Sequence, residues 1–238
     1  MIRDLIGTPL KIYQTKKQPF NIDTILLANF ANPTKDVKKI FDLGSGAGSL
    51  CLYMAYKTKA NIVGVEIQED IYQEALKNVE INQLQDRIKM IKEDINNLHN
   101  LYKDIDAIIT NPPFFKISNK SKVNDIEYKT IARHEVFINL KQLIAISNKL
   151  LKTGGKIYMI HRPERVAEII DECNQNRLKV KKVRFVHPTE TSEANHVLIE
   201  ISKDGSEGLK VLKPLILYTS EHKLTKEMQE IYHDIRHK

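Results

Sequence analysis

Polar or glycine-rich residues follow successive apolar segments of this sequence, and their types suggest a nucleoside site. The glycine turn Gly44–Gly48 follows the segment 39–43, Glu66 ends a second segment, and Asp94 ends a third. Glycine lets the backbone approach a ligand closely. A carboxylate about twenty residues after such a turn could bind vicinal ribose hydroxyls, and the next could accept a hydrogen bond from an adenine amino group. Taken alone, each acid is better interpreted as a solvated strand end, but together and in this order they describe an adenosine site.

A fourth apolar segment ends in Asn111-Pro112-Pro113-Phe114. Proline cannot donate to a β ladder and fixes φ, so a strand must stop here. Asn111 precedes a proline and is therefore biased toward an extended backbone. The result is a rigid corner that carries an amide side chain, fixed backbone carbonyls and an aromatic ring. Asn-Pro pairs also terminate strands without any further role, and that interpretation stays open.

The elements that must position these residues alternate between strand and helix. Strand patterns cover residues 39–43, 61–67, 88–95, 105–115, 156–163, 178–188 and 194–205. Helix patterns cover 24–31, 49–60, 68–83, 139–155, 163–176 and 225–238, and Gly154-Gly155 is expected to stop the fourth of them.

This alternation predicts an α/β fold with a doubly wound, mostly parallel, seven-stranded sheet. The last two strands have no helix between them, which suggests an antiparallel edge strand. Ligands of such sheets bind beyond the carboxyl ends of the strands. The four polar strand ends should therefore meet in one crevice.

Length and composition fit one domain over residues 1–238, with 42% hydrophobic residues to build a core. No apolar run is long enough for a membrane helix. Two separate cysteines predict neither a disulfide framework nor a zinc site, and no metal is expected. The net charge of +7 favours a polyanionic partner, although a lysine-rich genome would produce the same charge. Basic residues follow the Asn111 corner and cluster again at Lys179, Lys181, Lys182 and Arg184.

The segments "FDLGSGAG", "GVEI", "EDI" and "NPPF", in this order, resemble the motifs of class I S-adenosylmethionine-dependent methyltransferases. The flanking "PFNIDTILLANF", "IARHE" and "GGKIYMIHRPERVAEII" are similar to bacterial tRNA (adenine-37 N6)-methyltransferases that act on valine tRNA. The resemblance implies S-adenosylmethionine as cofactor, tRNA as partner, a monomer and a cytoplasmic location. It also implies that residues 1–36 cover the cofactor, 37–205 form the core, and 206–238 form a C-terminal tail and helix.

The resemblance assigns roles to individual residues. The implied cofactor contacts are Asp23, Thr24, Asp42, Gly44, Ser45, Gly46, Gly48, Glu66, Ile67, Asp94, Ile95 and Asn111. The implied catalytic residues are Asn111, Pro112, Pro113 and Phe114, and the substrate RNA would contact Lys116, Lys120, Lys122 and Arg133. Asp23 could instead cap the helix that follows it.

The Asn111 corner suits transfer of a methyl group to the exocyclic amine of adenine, whose lone pair is delocalised into the adenine ring. The Asn111 side-chain carbonyl and the Pro112 backbone carbonyl could each accept one amino hydrogen and so direct the lone pair at the methyl group. Phe114 could stack on the extruded base. No general base is required, and His161 is expected to be structural.

Other functions remain as alternatives. An rRNA or DNA amino-methyltransferase would carry the same corner, and a protein glutamine methyltransferase a closely similar one, usually with tyrosine. A nucleotide-dependent oxidoreductase would need G-x-G-x-x-G, whereas position 49 here is Ser. A non-catalytic RNA-binding domain could have kept the fold.

Overall fold

The computed structural model of the protein describes residues 1–14, 21–112 and 139–236. Six predicted site residues lie outside this part of the chain, namely Pro113, Phe114, Lys116, Lys120, Lys122 and Arg133. Their predicted roles stay predictions.

Two sheets form in the described residues. The strands are β1 (Ile2–Asp4), β2 (Lys11–Tyr13), β3 (Lys39–Leu43), β4 (Asn61–Glu66), β5 (Ile88–Lys92), β6 (Ile105–Thr110), β7 (Leu151–His161), β8 (Leu178–His187), β9 (His196–Lys203), β10 (Lys210–Val211) and β11 (Leu215–Ile216). β1 and β2 form an antiparallel hairpin, and the main sheet has the order β10-β8-β9-β7-β6-β3-β4-β5, with β11 also paired to β8.

The helices cover both faces of the main sheet. They are α1 (Ile22–Phe30), α2 (Ser49–Lys57), α3 (Glu69–Ile81), α4 (Leu140–Leu150), α5 (Val166–Gln175) and α6 (Lys226–His233), with short 3₁₀-helices at Ile95–Asn100 and Pro163–Arg165. One buried apolar cluster contains side chains of α1, α2, α3 and α6, and a second contains those of α4 and α5. Two apolar layers on one sheet are the arrangement that alternating strands and helices predict.

The predicted doubly wound α/β fold is confirmed, and its seven long strands are β3 to β9. The chain builds β4 and β5 on one side of β3, then crosses to build β6 and β7 on the other. β9 runs antiparallel to both β7 and β8. The antiparallel strand β9 therefore lies between β7 and β8. This order arises because β9, the second strand of the β8–β9 hairpin, pairs with β7, while β8 lies outside it. The sequence patterns predict none of the short strands β1, β2, β10 and β11.

The predicted helix stop at Gly154-Gly155 is wrong. α4 begins at a capping box formed by Asn139 and Gln142 and already ends at Leu150. Leu151 has extended backbone angles and starts β7, so both glycines lie inside the strand. The pairing of β7 with β6 shifts register at this point, and Gly154 has a φ of +75°. The glycines thus accommodate an irregular strand start.

The C-terminal helix packs on the body of the protein, as its apolar spacing predicts. Met228, Ile231 and Ile235 are fully buried. A Cβ atom on Gly7 would lie 2.6 Å from Cγ2 of Ile235, so the N-terminal segment and the tail are in close contact. The tail therefore completes the core on the α1 face.

Lys57, the last residue of α2, binds the C-terminal end of α1, and replacing it should destabilise the protein. Its ammonium donates to the carbonyls of Ala28, Asn29 and Ala31 at 2.6, 2.9 and 2.7 Å. Helix carbonyls without partners carry negative partial charge, which a lysine complements. We expect Lys57→Met to lower the free energy of unfolding by about 2–3 kcal/mol. Urea denaturation measures this, with Lys59→Met at an exposed neighbouring position as the control.

Candidate active site

The glycine turn links β3 to α2 at the carboxyl edge of the sheet. Gly44, Gly46 and Gly48 have φ angles of +75°, +54° and +82°, which side chains with a Cβ rarely adopt. The amides of Gly44 and Ser45 donate to the carbonyl of Val65 at 3.0 and 2.9 Å, so the turn is held against the end of β4. The glycines are therefore required by the backbone path of the turn.

Buried polar atoms line the base of this turn. Asp42 is fully buried, and its Oδ2 accepts a hydrogen bond from Sγ of Cys51 at 3.3 Å. Asp42 Oδ1 and the hydroxyl of Ser45 have no hydrogen-bond partner among the described residues. Burial, which outweighs the Cys51 hydrogen bond, raises the pKa of Asp42 to about 7, with a further contribution from the charge of Glu66. Two buried polar atoms of one turn that have no partner among the described residues suit a polar ligand group.

Glu66 lies at the end of β4 and spans two loops. Its Oε2 accepts from the amide of Gly46 at 3.1 Å, and its Oε1 accepts from the amide of Gln68 at 2.9 Å. A carboxylate offers about four lone-pair sites, so each oxygen keeps one site for a ligand hydroxyl. The glycine turn and Glu66 thus form one unit. Ile67, another predicted contact, follows Glu66 directly in the link to α3.

Asp94 caps the 3₁₀-helix that follows β5. Its Oδ1 accepts from the backbone and side-chain amides of Asn96, both at 2.8 Å. The next residue, Ile95, is buried. The cap fixes the backbone at the third strand end, and the predicted adenine contact at Asp94 and Ile95 stays a prediction.

The Asn111 corner lies next to the glycine turn. β6 pairs with β3, and the hydroxyl of Thr110 donates to the carbonyl of Leu43 at 2.8 Å. Asn111 is half-buried and Pro112 is buried. Thr110 therefore fastens the two strand ends together directly before the corner. Sequence patterns gave no signal for Thr110, because its partner is distant in sequence.

Asp23 is buried in the first turn of α1, and its interpretation as a helix cap is wrong. The cap is Asn21, whose side chain accepts from the amide of Asp23 at 3.2 Å. The carboxylate of Asp23 accepts from the Asn21 side-chain amide at 2.6 Å and lies 3.1 Å from Nε2 of His196 at the start of β9. The neighbouring Thr24 donates its backbone amide to Asn21. The structure thus brings the start of α1 to the carboxyl edge of the sheet.

The basic residues of β8 have intramolecular contacts. Lys179 contacts Asn174, Lys181 the carbonyls of Ser206 and Glu207, Lys182 the buried Glu200, and Arg184 both Glu227 and the carbonyl of Lys213. Burial alone would raise the pKa of the Glu200 carboxyl, but its hydrogen bonds with Lys182 and Lys156 together lower this pKa below its usual value. These contacts make the cluster a weaker surface for phosphates than its charge count suggests.

His161 ends β7 and is buried, in keeping with the predicted structural role. Its Nδ1 accepts the backbone amide of Arg162 at 2.8 Å. Burial, aided by the charges of Arg165 and Arg162, lowers the pKa of His161 to about 4, so the ring is neutral near pH 7. Within residues 1–14, 21–112 and 139–236, no group of three His, Cys, Asp or Glu side chains could hold a metal ion. The helices of these ranges are all too short or too polar to cross a membrane.

Comparison with known proteins agrees with this geometry. The sequence model described as "Methyltransferase domain" matches residues 34–230. The fold is similar to the crystal structure of a predicted O-methyltransferase from Agrobacterium tumefaciens, with a TM-score of 0.72 and 22% sequence identity over 90% of this chain and 97% of that one. The chain therefore belongs to the methyltransferase-domain family.

Curated relatives narrow this class further. A protein of Dyadobacter fermentans named tRNA1(Val) (adenine(37)-N6)-methyltransferase is 32% identical over 76% of this chain and 74% of its own length. A protein of the same name from Christiangramia forsetii is 28% identical over 89% and 88% of the two chains. Within the methyltransferases, this chain therefore belongs to the same group as these two tRNA methyltransferases.

Proposed function

We propose that the protein transfers a methyl group from S-adenosylmethionine to N6 of adenosine 37 in a tRNA anticodon loop. The observation that carries the proposal is the junction of the glycine turn and the Asn111 corner, held by the hydrogen bond from Thr110 to the Leu43 carbonyl at 2.8 Å. This bond holds the end of β6, where the Asn111 corner could bind the target amine, next to the end of β3, where the glycine turn could bind the methyl donor. The names of the relatives supply the substrate.

The residues at the glycine turn fit the cofactor. Oδ1 of Asp42, to which no side chain or amide of the described ranges donates, could accept from the cofactor's ammonium group, and the Ser45 hydroxyl could donate to its carboxylate. Glu66 retains lone-pair sites for the two ribose hydroxyls. When bound, S-adenosylmethionine supplies an electrophilic methyl group on a sulfonium.

The Asn111 corner would orient the target amine. The Asn111 side-chain carbonyl and the Pro112 backbone carbonyl each accept one amino hydrogen, which leaves the nitrogen lone pair directed at the methyl group. The buried proline ring holds the second acceptor in place. Phe114 is proposed to stack on the base, and Lys116, Lys120, Lys122 and Arg133 to contact the RNA. Such an enzyme would act in the cytoplasm, where tRNA is modified.

A labelling experiment tests the function. The protein is incubated with methyl-labelled cofactor and separate pools of tRNA, rRNA, DNA and protein, and the labelled nucleoside is identified by mass spectrometry. We expect N6-methyladenosine in tRNA, and no label when adenosine 37 is changed to guanosine. Label in the changed tRNA, or in another pool alone, would contradict the assignment.

Glu66→Ala should weaken cofactor binding. Removing a carboxylate that binds both ribose hydroxyls should cost about 2–3 kcal/mol, the scale of hydrogen bonds to a charged group. Calorimetry with S-adenosylhomocysteine measures this loss. Glu69→Ala is the matched control, because Glu69 is exposed and pairs with Lys92 on the surface. Equal affinities of the two variants would remove Glu66 from the site.

A further inference from the structure

The thiol of Cys51 contacts the buried carboxylate at the base of the glycine turn. Cys51 lies in the first turn of α2, and its Sγ donates to Oδ2 of Asp42 at 3.3 Å. Both residues are fully buried, so their hydrogen bond is shielded from water. The other oxygen of the same carboxylate, Oδ1, has no partner among the described residues. One oxygen of Asp42 is thus held by α2, while the other remains able to accept from a ligand.

Gly64 provides the space that this thiol occupies. It lies opposite Asp42 in the pairing of β3 with β4. A Cβ atom on Gly64 would lie 2.7 Å from Sγ of Cys51 and 2.5 Å from Cε of Met90, and both distances are shorter than close-packed side chains allow. Gly64 lies inside a regular strand, so its lack of a side chain is what this position contributes. The sequence of β4 therefore leaves room for a thiol beside Asp42.

Cys51 and Glu66 are the ionisable groups that act on this carboxylate within the described part of the chain. The residues opposite Asp42 in the flanking strands are Gly64 and Ile109, which do not ionise. Burial raises the pKa of Asp42, the hydrogen bond from Cys51 opposes this rise, and the charge of Glu66 adds to it. Burial and the charge of Asp42 raise the pKa of the thiol well above its usual range. Cys51 therefore keeps its proton and acts as a donor.

We propose that Cys51 is a positioning residue for the cofactor, which holds Asp42 through Oδ2 so that Oδ1 accepts from the cofactor's ammonium group. The inference rests on the cofactor site of the proposed function. A hydrogen bond to the charged form of an acid favours that form. The thiol therefore lowers the free energy needed to ionise Asp42 when the cationic group binds. It also fixes the orientation of the carboxylate before the cofactor arrives.

Calorimetry with S-adenosylhomocysteine, which carries the same ammonium group as the methyl donor, tests the proposal over a range of pH. We expect Cys51→Ala to weaken binding about three- to tenfold at about pH 6, the effect of losing one hydrogen bond. Without the thiol, more of the free protein carries a protonated Asp42 at this pH. The difference from the wild type should shrink as the pH rises to about 9, because Asp42 becomes ionised in both proteins. Cys51→Ser keeps a donor and should restore most of the wild-type affinity.

Cys173→Ala is the matched control. Cys173 is equally buried, but it lies in α5, in the apolar cluster on the other face of the sheet. Its replacement should leave affinity and pH dependence at their wild-type values. A purely structural role of Cys51 would instead lower the affinity of Cys51→Ala by the same factor at every pH. If that is observed, or if Cys51→Ala binds like the wild type at pH 6, the positioning role of Cys51 is wrong.

A double-mutant cycle separates this inference from the proposed function. In the Asp42→Asn background, which has no carboxyl to ionise, Cys51→Ala should change neither the affinity nor its pH dependence. Additive losses would show that Cys51 does not act through Asp42. Binding of S-adenosylhomocysteine to the wild-type protein is measured first. Absence of binding would refute the proposed function and this inference with it. Binding that Asp42→Asn weakens but Cys51→Ala leaves unchanged would refute the inference alone.

Discussion

Asn111→Ala is expected to lower the rate of methyl transfer by about 100- to 1000-fold, the range found when one preorganised polar group is removed from an active site. The alanine removes the side-chain carbonyl proposed to accept an amino hydrogen but leaves the proline corner in place. The variant should keep most of its affinity for the cofactor, because Asp42 and Glu66, with the glycine turn, form a separate part of the site. Single-turnover kinetics with saturating RNA measure the rate, and calorimetry measures the affinity.

Two variants sharpen this test. Asn111→Asp keeps an acceptor oxygen at the same place and should retain more activity than the alanine. Asn100→Ala changes an exposed asparagine at the end of a 3₁₀-helix and should transfer methyl groups at the wild-type rate. If Asn111→Ala transfers methyl groups at a near-normal rate, the Asn111 side chain has no catalytic role and the corner only terminates the strand.

The sheet and the turn were predictable because their signals are local. The run 39–43 and the glycines after it are typical of a strand that enters a tight turn, and β3 and the turn lie at those residues. Glu66 could be placed beside the turn because parallel strands end at one edge. The helix stop at Gly154 failed because the same residue type serves a helix end and an irregular strand start, and strand pairing decides between them.

Long-range partners could not be predicted in the same way. Thr110 contacts a carbonyl of β3, and Asp23 at the start of α1 contacts His196 at the start of β9. No periodicity or motif relates these positions, since folding alone brings them together. The basic cluster of β8 illustrates the same limit, because the sequence gives its charges but not the distant Glu227 that pairs with Arg184.

Asp42 should make the stability of the cofactor-free protein fall as the pH rises. Burial raises the pKa of Asp42 from an ordinary value near 3.8 to about 7 in the folded protein. Between these values the folded state binds more protons than the unfolded state, so raising the pH favours unfolding. The difference corresponds to about 4 kcal/mol between pH 4 and pH 8. Asn cannot ionise, so Asp42→Asn should lack this component, as urea denaturation at both pH values will show.

The buried charge that destabilises the free protein should favour the bound cofactor. A cationic ammonium near Oδ1 would stabilise the ionised carboxylate, so binding would release a proton below pH 7 and affinity would rise from pH 5 to pH 7. Asp42→Asn should bind more weakly at pH 7, with little change of affinity over this interval. Calorimetry with S-adenosylhomocysteine in buffers of different ionisation enthalpy measures the affinity and the proton release. If the wild-type protein binds S-adenosylhomocysteine with constant affinity from pH 5 to pH 7 and releases no proton, Asp42 does not contact the cofactor.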